Sequence, residues 1–113
     1  MEKVIRINVD VFMGQKQYTI YYQNGDEKPV KVSLTPGDWG KGLIVDALIR
    51  SKYSQDKVEA IINNHFLNIA EWLDAKFAGS TESFTDPEYD EMQNWRKVCK
   101  RLAEEALQQY PEN

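Results

Sequence analysis

The chain has 113 residues, with 14 Lys+Arg against 18 Asp+Glu, a net charge of −4, one His and one Cys. That length supports one domain with a modest core, residues 1–113, and a 42% apolar, 12% aromatic composition excludes an intrinsically disordered chain. A single Cys excludes an intrachain disulfide framework, and with a single His it excludes a Cys/His zinc cage.

Residues 1–35 read as a β meander. Ile5, Ile7, Val9 and Val11 alternate with Arg6, Asn8 and Asp10, the period-2 pattern of a strand with one buried face. Tyr18, Ile20 and Tyr22 repeat it, as do Val30, Val32 and Leu34. Met13-Gly14-Gln15 supplies the first turn. Asn24-Gly25 predicts a type I′ turn for the second, since both central residues of that turn need positive φ. Pro29 lacks an N–H and so places the third strand at an edge or after it.

From residue 36 the period changes to 3.6, and residues 36–113 read as helical. Thr35-Pro36-Gly37-Asp38 predicts an N-cap and first turn for a helix running to about Lys52, with Leu43, Ile44, Ala47 and Leu48 inward. Ser54 caps the next. There Val58, Ile61, Ile62, Phe66, Ile69, Trp72, Leu73 and Phe77 are expected on one buried face, with Gly79 as the stop and Asn63-Asn64 or Asn68 as points where the helix could divide in two. Residues 79–86 read as a polar linker. Asp86-Pro87-Glu88 starts a third helix, with Met92, Trp95, Cys99, Leu102, Ala106 and Tyr110 on one stripe until Pro111. Three strands followed by three helices predict an α+β fold: a three-stranded antiparallel meander with about three helices packed on one face.

The residues that could carry chemistry are few. Pro36-Gly37-Asp38-Trp39-Gly40-Lys41-Gly42 lacks the Walker spacing and the Ser or Thr after Lys, and Asp38 would repel a phosphate, so it reads as an entry turn. His65 has no metal ligand three or four residues away, and Cys99 falls on a packing stripe. A small ligand-binding domain or enzyme would need a pocket joining His65 to Cys99 or to carboxylates. No catalytic, cofactor or metal residues are assigned. Arg96, Lys97, Lys100 and Arg101 form a basic patch that could meet nucleic acid, but it lies in the acidic last third of the chain, with Glu104 and Glu105 at i+4 spacing to neutralise it. Nucleic acid is therefore disfavoured as a partner. The strand Tyr18-Thr19-Ile20-Tyr21-Tyr22 and two open sheet edges suggest a surface for a protein partner or a second copy. The candidate interaction surface is accordingly Tyr18, Tyr21, Tyr22, Arg96, Lys97, Lys100 and Arg101.

No apolar run reaches the roughly 18–20 residues of a membrane helix, and Met1-Glu2-Lys3-Val4 opens directly into a strand-like pattern rather than a signal peptide. Both points predict a cytoplasmic protein with no membrane partner.

Gly42-Leu43-Ile44-Val45-Asp46-Ala47-Leu48-Ile49-Arg50-Ser51-Lys52-Tyr53-Ser54 through Glu59-Ala60-Ile61, followed by Glu88-Tyr89-Asp90-Glu91-Met92, Trp95 and Cys99-Lys100, resembles a family of small proteins from phage and prophage structural modules, often near tail genes. The residues from about Asn63 to Thr85 read as an insertion in that pattern, and the meander has no counterpart in it. The resemblance implies mobile-element ancestry and a helical interaction module, with no catalytic residues to carry over. The expected function is thus a non-enzymatic interaction or structural protein.

Overall fold

The structure is a computed structural model and describes residues 1–112. Its element order is β1 (Glu2–Phe12), β2 (Gln15–Asn24), β3 (Val30–Ser33), α1 (Lys41–Arg50), α2 (Gln55–Phe77) and α3 (Pro87–Gln109). The strands form one antiparallel sheet in the order β1-β2-β3. The expected α+β architecture is what the chain adopts. Among the described residues, no helix is long and apolar enough to cross a membrane.

The first hairpin closes on Met13 and Gly14, both at positive φ (51° and 79°), so the type I′ signature falls here. At Asn24-Gly25 only Gly25 has positive φ, and Glu27 N–H donates to the Asn24 carbonyl in a longer loop. A bulge between Val4 and Arg6 corrects the expected alternation. It absorbs Ile5, so Val4 points inward opposite Tyr22 while Ile5 lies exposed on the outer face. Val11, near the far end of this long hairpin, is exposed too.

The inner sheet face packs Val4, Ile20, Tyr22 and Val32 against Ile44 and Leu48 of α1 and Trp95, Cys99, Leu102, Ala103 and Ala106 of α3. Three of the α3 residues are small, which lets its backbone sit close to both neighbours. The loop before α1 is fixed by aromatic contacts. Trp39 stacks on Tyr18 at 4.4 Å between ring centres, and its indole N–H donates to the Tyr110 carbonyl at 2.8 Å.

The first helix begins at Lys41, five residues later than Pro36. Residues 36–40 form a loop instead, with Gly37 at φ 88° and Asp38 N–H bonded to the Thr35 carbonyl. Leu43 consequently lies on the exposed side. Gly40 offers α1 no side-chain cap, so the carboxylate of Glu112, 71 residues away, accepts from Lys41 N–H.

The other two helices start where their caps predict. Ser54 Oγ accepts from Lys57 N–H, and Asp86 accepts from Tyr89 N–H with Pro87 in the first turn. α2 is one unbroken helix across Asn63, Asn64 and Asn68. It ends in a Schellman turn: Ser80 N–H bonds to the Ala75 carbonyl and Gly79 N–H to that of Lys76, with Gly79 at φ 101°.

Candidate interaction surface

Among the described residues, α2 is the only helix that largely escapes the core. Of its 23 residues Ile61 alone is fully buried. His65 stacks face to face on Tyr89, 3.5 Å between ring centres, which places it over the first turn of α3. From there to Phe77 the helix runs past the start of α3, an overhang of about 20 Å at 1.5 Å per residue. The radius of gyration is 18.2 Å, and the extents are 62 × 31 × 23 Å. A compact chain of this length would have a radius near ~13 Å. The overhanging helix and the long hairpin account for the difference.

One face of the overhang is covered by the chain's own return. Residues 80–86, expected as a free linker, run back along α2 and are held by aromatic side chains. Trp72 N–H donates to the Glu82 carbonyl at 2.9 Å, and Phe84 packs between Trp72 and His65. An extended segment of seven residues spans about 23 Å, enough to retrace the overhang. The Asp86 carboxylate ends the return. It caps α3 and also joins His65 Nδ1 at 2.8 Å and Asn68 Nδ2 at 3.2 Å. Hydrogen bonding from His65 is the largest cause holding its carboxyl below the ordinary range.

This geometry assigns His65 a structural contact: it latches the arm to the N-terminus of α3. It also separates His65 from Cys99, one of the two pairings a reaction site could have used; the carboxylate that His65 does meet is Asp86. Cys99 lies ten residues beyond Tyr89, about 15 Å farther along α3, at the sheet interface. Burial pushes its thiol up to about 12, away from the thiolate a nucleophile needs.

A second face of α2 is bare. Phe66 is 64% and Phe77 89% exposed, with Leu73 also exposed and Ile62 and Ile69 half-buried beside them. The expected single buried face is therefore corrected: Ile61, His65 and Trp72 are covered, whereas Phe66, Leu73 and Phe77 face solvent. The signal was present in adjacent apolar pairs such as Ile61-Ile62 and Trp72-Leu73. Neighbours on a helix point about 100° apart, so one narrow contact cannot bury both.

The residues singled out earlier have other places. Tyr18 and Tyr22 are each 6% exposed, the first under Trp39 and the second beside Trp95 with its hydroxyl on Ser51. Both are core and unavailable to a partner, because the inner sheet face needs them. Tyr21 does point outward, with Arg6 4.2 Å above its ring. The basic patch loses Arg101, whose guanidinium donates to the Glu2 carbonyl and pairs with the carboxylates of Glu2 and Glu105. Glu104 reaches Lys41 rather than Lys100. Arg96 is half-buried; Lys97 and Lys100 remain exposed.

The β1 edge is also taken up at its start. Val4 N–H donates to Glu105, Gln109 donates to the Val4 carbonyl, and Arg101 holds the Glu2 carbonyl. Side chains of α3 thus occupy main-chain groups that an added strand would require. The exposed stripe of α2 was missed as a surface, and it leaves Phe66, Leu73 and Phe77 uncovered along one helix. No protein-family model, curated protein or solved structure matches the chain.

Proposed function

We propose that the protein is a non-enzymatic interaction or structural protein whose working surface is the bare face of α2. The observation that carries this reading is a pair of exposed phenylalanines, Phe66 and Phe77, on a helix that runs past the start of α3 and is covered on another face by its own return segment. A buried phenylalanine contributes on the order of 2–3 kcal/mol through lost water contact, so leaving two in solvent forgoes stability unless another surface covers them. The latch at His65 and Asp86 supports the same reading, because it orients the arm instead of completing a reaction centre. A phage or mobile-element origin and a cytoplasmic location belong to the proposal. The first is supported by the residue pattern from Gly42 to Ser54, the second by a free, buried Cys99.

Chemical cross-linking in cells that produce the protein tests the reading. Wild type should give a discrete adduct, with itself or another chain, that Phe66→Asp loses while its thermal midpoint in dilute purified protein is unchanged. An adduct pattern identical in the two proteins would remove α2 as the working surface.

A further inference from the structure

Resting on that reading, we infer that the occupant of the α2 stripe is α2 of a second copy, packed antiparallel about a two-fold axis between Ile69 and Ala70. The apolar stripe is Ile62, Phe66, Ile69, Ala70, Leu73 and Phe77. Its spacing is the same read from either end: four, three, one, three, four. A two-fold interface must present one patch to itself, so each residue needs a fitting counterpart at the mirrored position. Reversal about Ile69/Ala70 sets Ile62 opposite Phe77 of the second copy and Phe66 opposite its Leu73. Large meets large or branched at both ends, and Ala70 leaves room where the helices cross at the centre.

The flanks agree. In an antiparallel pair, residues on the same flank meet, so Asp74 lies between Asn63 and the exposed Leu67 of the second copy rather than against another carboxylate. The exposed apolar area comes close to the lower bound for a specific interface. Phe66 and Phe77 expose about 300 Å² per protomer, taking about 200 Å² for each full ring. Both copies together, with Ile62, Ile69 and Leu73 added, approach roughly 1,000 Å², the lower bound for a specific interface. The return segment covers a different face of α2, so it does not block the approach.

Sedimentation of purified protein between about 1 and 100 µM, where an interface of this size associates, should show twice the chain mass at the upper end. Phe66→Asp enters the contact twice and should weaken association about 100-fold or more with an unchanged far-UV spectrum. Ala70→Cys, at the axis, should form an intersubunit disulfide under mild oxidation, while wild type, with Cys99 buried, forms none. Asn63→Cys mixed with Asp74→Cys should cross-link, and neither alone should. The cysteine variants keep the test open if Phe66→Asp does not fold. A strict monomer with no cross-link overturns self-pairing, as does a cross-link pattern that reports parallel helices. A monomer whose cellular adduct with another protein still depends on Phe66 would sink self-pairing and leave the broader reading standing.

Discussion

The two ends of the molecule hold their aromatic residues in opposite ways. At the sheet end, Tyr18, Trp39 and Tyr110 meet within about 6 Å of one another, and Tyr22 packs on Trp95, every ring closing a gap between elements. At the arm, His65, Trp72, Phe84 and Tyr89 form a thinner layer between one helix and an extended strap, while Phe66 and Phe77 close nothing. A three-sided contact makes a core; a two-sided one makes a projection with a spare face. The sheet end should therefore carry global stability, and the arm should respond to local changes and to partners.

Truncation should show the contrast most strongly. Leu48→Ala removes a fully buried side chain between sheet and helices, and should lower stability by about 3 kcal/mol, or the melting midpoint by about 15 °C. Phe77→Ala removes a larger side chain, yet in dilute protein it should change stability by no more than about 0.5 kcal/mol. Equal losses at the two sites would mean that the arm is part of the core.

Acid should separate the two ends next. Asp86 has a folded-state pKa below its unfolded value, so the unfolded chain binds more protons between the two. The stability it adds is present above the ordinary carboxylate range and is lost as pH falls through the depressed value. The indole N–H of Trp72, bonded to the strap, should then exchange with solvent before the amides of α3 around Leu102 do. In Asp86→Asn this early acid step should vanish; its persistence would assign it to another carboxylate.

Two backbone substitutions sharpen the comparison at smaller scale. Gly79→Ala places a side chain at φ 101° in the turn that aims the strap, and should cost about 1 kcal/mol, read as faster hydrogen exchange in the arm alone. Met13 holds the first position of a type I′ turn at φ 51°, where asparagine is preferred. Met13→Asn should therefore add about 0.5 kcal/mol to the sheet end in thermal melts and leave the arm unchanged.

By itself the sequence determined what local chemistry can determine. Period-2 and period-3.6 patterns named three strands and three helices in order, because side-chain direction follows directly from backbone type. Ser54, Gly79 and Asp86 marked their helix ends, since each satisfies or redirects backbone groups within five residues of itself. Tertiary structure decided what depends on distant partners. The bulge at Ile5 exchanged the buried residue for its neighbour. Trp39, seated on Tyr18 and Tyr110, delayed α1 to Lys41, whose cap then came from Glu112. Above all, an apolar helix face records that something should cover it and not which element does. In α2 the strap took Trp72, α3 took His65, and Phe66 and Phe77 were left to the solvent, because the strap covers one face and α3 begins beside His65.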